Sequence, residues 1–216
     1  MTQLMPYLQQ GVKPINGNYT GKDVISLEQF TAEDLHILFA LTRQMKQLAV
    51  NNEPSQLLAG YLVSLLFFEP SSRTFGSFAA AVKRLGGQTI EIQNPETVSS
   101  VYKGESFEDT IRVFESYSNA VILRHYCAGA AQRAAEASLT VPVINAGDGN
   151  NEHPTQTLLD LYTLYERFGR LDHLTGLLVG DPLNSRALHS LIRGLSLFKG
   201  NTVYVLSPRR LQLSRD

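Results

Sequence analysis

Residues 69–74, Glu-Pro-Ser-Ser-Arg-Thr, place three hydroxyl groups and one guanidinium at a predicted junction between a strand and a helix. An apolar run at 61–68 precedes them, and residues 75–85 have apolar side chains at helical spacing. Amides at the start of a helix lack intrahelical acceptors and lie at its positive end, where they favour a phosphate or a carboxylate. The amides of residues 72–74 are therefore predicted to form an anion site with their side chains. The alternative for this motif by itself is a capped helix with a surface arginine.

Polar residues also follow three further predicted strands. They are Ser99 and Lys103 after the strand at 88–92, Arg124 at the end of 120–124, and His153 and Gln156 after 141–145. In an open parallel sheet, ligands bind beyond the carboxyl ends of the strands, where strand order reverses. Arginines supply forked donors to phosphate oxygens and a lysine supplies a mobile point charge. The four loops together predict a small anionic ligand.

His153 precedes Pro154 at a predicted helix start, where the helix dipole is expected to lower its pKa and favour a neutral ring that donates one hydrogen bond. A capping histidine with a purely structural role is the alternative. Gln156 lies one turn further along the same helix face. No acid–histidine–nucleophile spacing supports covalent catalysis, and the scattered histidines match no metal-ligand pattern, so we expect no cofactor and no metal.

The composition restricts the class of protein. The 216 residues are 43% apolar and carry 19 basic against 20 acidic side chains, which argues against nucleic acid or an anionic membrane as a partner. A single cysteine, Cys127, excludes an intrachain disulfide and fits a reducing compartment. Residues 1–6 lack the features of a signal peptide and no apolar run reaches membrane-spanning length, so we expect a cytoplasmic protein.

Strands and helices alternate along most of the chain, which predicts an α/β fold with a parallel sheet and helices on both faces. The strands are predicted near 61–68, 88–92, 120–124, 141–145, 175–180 and 202–206. Residues 1–170 are predicted to form one domain that closes with a helix at 154–168. Residues 171–216 offer two strands and one helix, too few for an independent domain, and are predicted to be the incomplete start of a second α/β domain.

These loops together resemble the transcarbamylase family of aspartate and ornithine carbamoyltransferases, on its aspartate branch. The likeness is extended and runs through Phe-Phe-Glu-Pro-Ser-Ser-Arg-Thr at 67–74, Arg-Leu-Gly-Gly at 84–87, Lys-Gly-Glu at 103–105, Asp-Thr at 109–110, Arg-His at 124–125, the stretch 145–160, Val-Gly-Asp at 179–181 and Ser-Arg at 185–186. Asn-Ala-Gly-Asp-Gly at 145–149 and His-Pro-Thr-Gln-Thr-Leu-Leu-Asp at 153–160 separate the chain from the ornithine branch.

The resemblance implies transfer of the carbamoyl group from carbamoyl phosphate to the amino group of L-aspartate, giving N-carbamoyl-L-aspartate and phosphate, in de novo pyrimidine biosynthesis. The first domain would bind carbamoyl phosphate and the second would bind aspartate. The implied phosphate ligands are Ser71, Ser72, Arg73, Thr74 and Arg124. The carbonyl oxygen would be held by Thr74, Arg124 and His153, the carbamoyl nitrogen side by Gln156 and the aspartate carboxylate by Arg186.

Of these residues, the resemblance implies catalytic roles for Arg73, Thr74, Arg124 and His153. It also implies that Ser99 and Lys103 enter the site of a neighbouring subunit, which makes the expected assembly a homotrimer with shared active sites. Regulatory chains are a further partner that the family allows.

The chain departs from the family pattern at three positions and ends early. Phe75 stands where an arginine is usual, Ser72 replaces a threonine, and Tyr126 follows His125 where proline is common. The sequence stops at Asp216, before the second-domain arginine loop and the His-Pro-Leu-Pro segment that complete the aspartate site in the family. Two alternatives therefore stand beside aspartate transfer: a truncated or divergent relative that binds carbamoyl phosphate without transfer, and a transferase that carbamoylates another amine.

Overall fold

Parallel strands alternate with helices in a computed structural model of the protein, which describes residues 13–212. The elements in chain order are α1 (Ala32–Val50), β1 (Leu62–Phe67), α2 (Ser72–Arg84), β2 (Gln88–Gln93), α3 (Pro95–Val98), α4 (Phe107–Tyr117), β3 (Ala120–His125), α5 (Ala130–Ala137), β4 (Val143–Asp148), α6 (Pro154–Phe168), β5 (Thr175–Val179), α7 (Arg186–Ser196) and β6 (Thr202–Leu206). Residues 1–6, on which the expectation of no signal peptide rests, lie outside the described range. Residues 213–216, at the end of the predicted second unit, also lie outside it.

The first four strands form one parallel sheet in the order β2-β1-β3-β4. From β1 the chain first adds β2 on one side and then crosses over to add β3 on the other side. Strand order therefore reverses between β1 and β3, and the crevice beyond their carboxyl ends is where open α/β sheets bind ligands. The parallel arrangement confirms the expectation that the polar loops share one edge of the sheet.

Helices cover both faces of this sheet, as predicted. Val63, Leu65 and Phe67 of β1 pack with α2, whereas Leu66 packs with α4 and α5. Because successive side chains of a strand point to opposite faces, this alternation puts α2 on one face and α4 with α5 on the other. The sheet is thus buried on both sides, which explains the nearly continuous apolar sequence of β1.

A third apolar cluster joins α1, α6 and α7. Helices α6 and α7 approach closely at Gly194, where an added Cβ would lie 2.8 Å from Cδ1 of Leu161. Strands β5 and β6 form a separate two-stranded parallel sheet. Helix α7 connects them in the sequence, which gives the two strands and one helix predicted for residues 171–216. The division of the chain into two domains at residue 170 stays a prediction. Within residues 13–212, none of the helices combines the length and apolar character that a membrane crossing requires.

Hydroxyl side chains cap the first turns of two helices. Thr31 accepts the amide of Asp34 at the start of α1, and Ser106 accepts the amide of Asp109 at the start of α4. Gly86, at φ +85°, follows the end of α2, where a glycine commonly adopts the left-handed conformation. Helix α2 begins at Ser72, so residues 72–74 form its first turn, as the prediction for their amides requires.

The fourth strand was misplaced by the sequence prediction. Strand β4 covers Val143–Asp148 instead of 141–145, because the turn-forming residues at its end are held in extended pairing. The middle of the strand pairs with Val24. The carbonyl of Val24 accepts the Asn145 amide at 2.8 Å, and the amide of Val24 donates to the Val143 carbonyl at 2.9 Å. The polar side chains of Asn145 and Asp148 bond to each other at 3.2 Å and are buried. The first three residues of the loop predicted after residue 145 are therefore strand.

Candidate active site

Glu69 joins two arginines at the switch point between β1 and β3. Arg124, at the end of β3, is 7% exposed, and its Nη2 lies 2.8 Å from Oε2 of Glu69. Arg186, the first residue of α7, places Nη2 3.2 Å from the same oxygen. Nη1 of Arg124 also donates to the carbonyl of Ala146 at 3.1 Å. The carboxylate and the two guanidiniums form the charged centre of the site.

Gly147 lies where three of the predicted site residues converge. Its φ is +115°, and an added Cβ would lie 2.9 Å from Nη1 of Arg124, 3.3 Å from Cζ of Arg186 and 3.4 Å from Cδ2 of His153. The absence of a side chain lets the guanidiniums and the imidazole approach the backbone. Arg124, His153 and Arg186, which the sequence separates by up to 62 positions, are thus brought together as expected.

The ring of His153 caps α6 and remains available for a second hydrogen bond. Its Nδ1 accepts the amide of Gln156 at 3.4 Å, so in the neutral ring the proton is on Nε2. Burial, together with the nearby guanidiniums of Arg124 and Arg186, lowers the pKa of His153 to about 4. The predicted direction is confirmed, but burial is its main cause rather than the helix dipole. At neutral pH the ring is an uncharged donor, and its capping role and a functional role are compatible.

A buried hydrogen-bond network fixes the loop that carries His153. Asp148 accepts the amides of Gly129 at 3.0 Å and Glu152 at 3.1 Å. Asn145 accepts the amide of Gly147 at 2.8 Å, which fixes that glycine beside Arg124. These polar groups therefore serve the geometry of the loop.

The first turn of α2 presents donors that no described residue uses. Ser71 precedes the helix without a side-chain cap, and the amides of residues 72–74 have no acceptor among residues 13–212. Ser72 and Arg73 are exposed, and Ser71 and Thr74 are half-buried. The ring of Phe75 packs edge-on against Phe67 with centroids 5.1 Å apart, so this side chain belongs to the core. The predicted helix turn is present with its donors unused among the described residues, and Phe75 packs away from it.

The buried Nε of Arg124 has no hydrogen-bond partner among the described residues. Unpaired buried donors are costly, and an anionic ligand is the kind of group that would satisfy this one.

Ser99 and Lys103 are not brought to this cluster within the single chain. The Ser99 hydroxyl donates to the carbonyl of Pro95 at 2.7 Å and accepts the amide of Val101 at 3.2 Å, so it is used inside its own turn. Lys103 is exposed. Gln156 lies next to His153, but its side-chain amide donates to Asp160 at 3.0 Å.

A cleft of about 610 Å³ opens beside the charged centre. Its walls include Glu69, Tyr126, Asn150, Asn184 and Arg186. The cleft therefore presents carboxylate, guanidinium and amide groups to a small polar ligand. No group of three or more histidine, cysteine or acidic side chains within residues 13–212 has the geometry to hold a metal ion.

Sequence reasoning missed two members of the site. Glu69 lies inside the motif at 69–74 but was given no role, although an acid directly after a buried strand and among basic loops signals an ion pair. Gly147 was quoted only as part of the resemblance, and its contacts could not be predicted without the positions of Arg124 and Arg186.

The fold and the site define an α/β protein with a cluster of charged side chains at the switch point of a parallel sheet. Residues 22–166 match the model of the aspartate/ornithine carbamoyltransferase carbamoyl-P binding domain. The chain belongs to the aspartate/ornithine carbamoyltransferase family.

Relatives from plants, archaea and a protozoan are similar to this chain. The chloroplastic aspartate carbamoyltransferase of Arabidopsis thaliana is 43% identical over 97% of this chain and 53% of its own length. The catalytic subunit of the Methanocaldococcus jannaschii enzyme is 45% identical over 90% of this chain and 63% of its own length. The solved aspartate transcarbamoylase of Trypanosoma cruzi, in complex with carbamoyl aspartate and phosphate, superposes with a TM-score of 0.86 at 38% identity, covering 95% of this chain and 66% of that one. The chain thus spans about half to two thirds of the length of these relatives.

Proposed function

We propose that the protein transfers the carbamoyl group from carbamoyl phosphate to the amino group of L-aspartate, as the catalytic chain of an aspartate carbamoyltransferase. The observation that carries the proposal is the convergence of Arg124, His153 and Arg186 on Gly147. The first turn of α2, at the end of the neighbouring strand, adds the donors that a phosphate group requires. The names of the relatives support the identity of the two substrates.

The donor substrate would lie between α2 and the end of β3. Ser71, Ser72, Arg73 and Thr74 would bind its phosphate through their amides, hydroxyls and one guanidinium, together with Arg124. Donors from Thr74, Arg124 and His153 would bind the carbonyl oxygen. Gln156 would bind the carbamoyl nitrogen side.

The reaction requires no covalent intermediate on the protein. The neutral amine of aspartate attacks the carbamoyl carbon, a C–N bond forms, and negative charge develops on the carbonyl oxygen. Preorganised donors in a partly buried site stabilise that charge, and removal of one such donor typically costs about 3–4 kcal/mol. The C–O bond to phosphate then breaks, and the departing phosphate accepts the amine proton. Neutral His153 can donate its Nε2 proton as a hydrogen bond throughout.

Arg186 would bind a carboxylate of the acceptor. It borders the cleft beside Glu69, and the cleft has room for a small amino acid. Holding carbamoyl phosphate and aspartate side by side would itself accelerate the reaction, because positioning can lower an activation barrier by roughly 7–11 kcal/mol in favourable cases.

The proposal extends to assembly and location. We place the carbamoyl-phosphate-binding domain at residues 1–170 and the start of the aspartate-binding domain at 171–216. Because Ser99 and Lys103 lie away from the cluster of their own chain, we assign them to the site of a neighbouring subunit in a homotrimer, with regulatory chains as further partners. We assign the enzyme to the cytoplasm and to pyrimidine biosynthesis; the plant relatives are named chloroplastic.

An acceptor screen on the full-length polypeptide tests this function. With carbamoyl phosphate as donor, we expect aspartate to be carbamoylated far faster than ornithine or putrescine. Equal rates with all three amines would refute the aspartate assignment and favour transfer to another amine. Binding of carbamoyl phosphate without any transfer would instead favour a relative that only binds it.

A further inference from the structure

Helix α7 contacts the loop that carries His153 through one of its faces. Arg186, Ser190 and Arg193 are spaced four and three residues apart, which places them on the same side of the helix. Arg186 donates to the carbonyl of Gly149 at one end. In the middle, the hydroxyl of Ser190 accepts the amide of His153 at 3.3 Å.

The far end of this face is anchored by an ion pair between Arg193 and Glu152, the residue before His153. Nη1 of Arg193 lies 2.8 Å from Oε1 of Glu152, whose side chain is only 4% exposed. The same carboxylate accepts the Ser26 hydroxyl at 2.8 Å and the Leu27 amide at 3.0 Å. It therefore joins three segments: the chain before α1, the loop carrying His153, and α7.

Within the described residues, Arg193 is the only cationic side chain that pairs with Glu152. A buried carboxylate that loses its guanidinium keeps two neutral donors and an uncompensated charge, which is strongly unfavourable. The structure can relieve that cost by admitting water between α7 and the loop. Such a shift would move Arg186 together with the helix to which it belongs.

We propose that Glu152 and Arg193 are positioning residues, whose ion pair holds α7 against the loop and thereby keeps Arg186 beside His153. Neither side chain touches the centre formed by Arg124, Arg186 and Glu69. The part of the proposal that concerns catalysis rests on the proposed function, whereas the part that concerns geometry does not.

The pair acts differently on the two substrates. Most of the proposed donor contacts come from Arg124 and the first turn of α2, which do not belong to α7, and only the carbamoyl group would reach His153 and Gln156. Acceptor binding relies on Arg186, the first residue of α7. Loss of the pair should therefore weaken the acceptor much more than the donor.

The test compares Arg193→Gln, Arg193→Lys and the double variant Glu152→Gln/Arg193→Gln in the full-length polypeptide. Arg112→Gln is the matched control, because Arg112 forms an exposed pair with Asp109 at 2.9 Å away from the site. For Arg193→Gln we expect the KM for aspartate to rise roughly tenfold and the KM for carbamoyl phosphate to stay within about twofold. Arg193→Lys should restore most of the loss, and the double variant should be no worse than Arg193→Gln.

A second measurement does not require activity. Titration of His153 by nuclear magnetic resonance should show its pKa rising from about 4 toward 6.5 in Arg193→Gln, because Arg186 recedes and water enters. The control variant should leave it unchanged. A wild-type protein that carbamoylates no amine would refute the proposed function. The titration would still test whether the ion pair keeps Arg186 beside His153. An unchanged His153 titration in Arg193→Gln, with only a lower melting temperature, would overturn the proposal.

Discussion

Arg124 and Arg186 bind the same oxygen, Oε2 of Glu69, at 2.8 Å and 3.2 Å. Two guanidiniums so close together repel each other. Burial, with the proximity of Arg186 as the second cause, lowers the pKa of Arg124. Glu69 offsets that repulsion inside the protein. The negative charges of carbamoyl phosphate and aspartate would interact with the same two side chains, so Glu69 links the site of one substrate to that of the other.

Substitution Glu69→Gln should lower stability and raise the response to phosphate. The variant leaves Arg124 and Arg186 without a counter-charge, at a cost of about 1–3 kcal/mol. Added inorganic phosphate should then raise the melting temperature more in the variant than in the wild-type protein, because the anion replaces the lost charge. Thermal unfolding at increasing phosphate concentration measures both effects. Glu33→Gln, at an exposed position in α1, is the control, and equal phosphate responses in all three proteins would count against the charge balance described above.

Substitution Arg73→Ala should weaken anion binding with little effect on folding. Arg73 is exposed in the first turn of α2, and such changes usually alter stability by about 0.5 kcal/mol or less. Loss of a hydrogen bond to a charged group, worth about 1.5–3 kcal/mol, predicts roughly a 10- to 150-fold weaker Kd for carbamoyl phosphate. Calorimetric titration measures this constant, with Arg112→Ala as the control. Unaltered affinity in Arg73→Ala would remove α2 from the binding site.

Substitution Gly147→Ala should damage the site through both strain and contact. The glycine has φ +115°, and the added Cβ would lie 2.9 Å from Nη1 of Arg124. Gly60→Ala is a matched control, because Gly60 has φ +82° and no atom within 4 Å of the added Cβ. We expect both variants to lose about 1–2 kcal/mol of stability from backbone strain, and only Gly147→Ala to lose phosphate binding. Similar phosphate affinities in the two variants would show that the contact with Arg124 is unimportant.

His153 should make folding stability depend on pH in a defined window. Its pKa is about 4 in the folded protein against 6.5 for an unperturbed histidine, so between these values the unfolded state binds more protons. Stability should fall as the pH is lowered from 6.5 to 4, by at most about 3 kcal/mol from this residue, and should not depend on it above pH 7. Urea unfolding at several pH values should show a flatter profile for His153→Gln than for the wild-type protein. Parallel profiles for the two proteins would mean that His153 titrates normally.

Much of the fold followed from patterns that are local in sequence. The apolar run at 61–68 and the alternation after it predicted β1 and the parallel sheet, because buried parallel strands need apolar side chains on both faces. The end of β4 was missed, since Gly147 and Asp148 are residue types that favour turns. The extended backbone there depends on distant partners: Asn145 bonds to Val24, which is more than 100 positions away, and Asp148 pairs with His125 of β3.

The site was predictable only where its members follow strands. Arg124 and His153 stand at strand and helix ends, where the topology of a parallel sheet places ligand-binding groups. The position of Glu69 after a buried strand indicates an ion pair, but its partners were not predictable, because they depend on which cations lie nearby in space. The pair of Glu152 and Arg193 was hidden for the same reason, since 41 positions separate the two residues.

The rate of N-carbamoyl-L-aspartate formation, measured together with phosphate release, shows whether the centre around Arg124 carries out carbamoyl transfer to aspartate. The comparison is between the full-length wild-type protein and Arg124→Gln, with carbamoyl phosphate and aspartate as substrates. We predict that the wild-type protein forms the two products in equal amounts and that Arg124→Gln is at least roughly 100-fold slower, because the main carbonyl and phosphate donor is lost. Equal rates in the two proteins would show that Arg124 does not serve the reaction, and phosphate release without carbamoyl-aspartate would show that the protein does not transfer the carbamoyl group to aspartate.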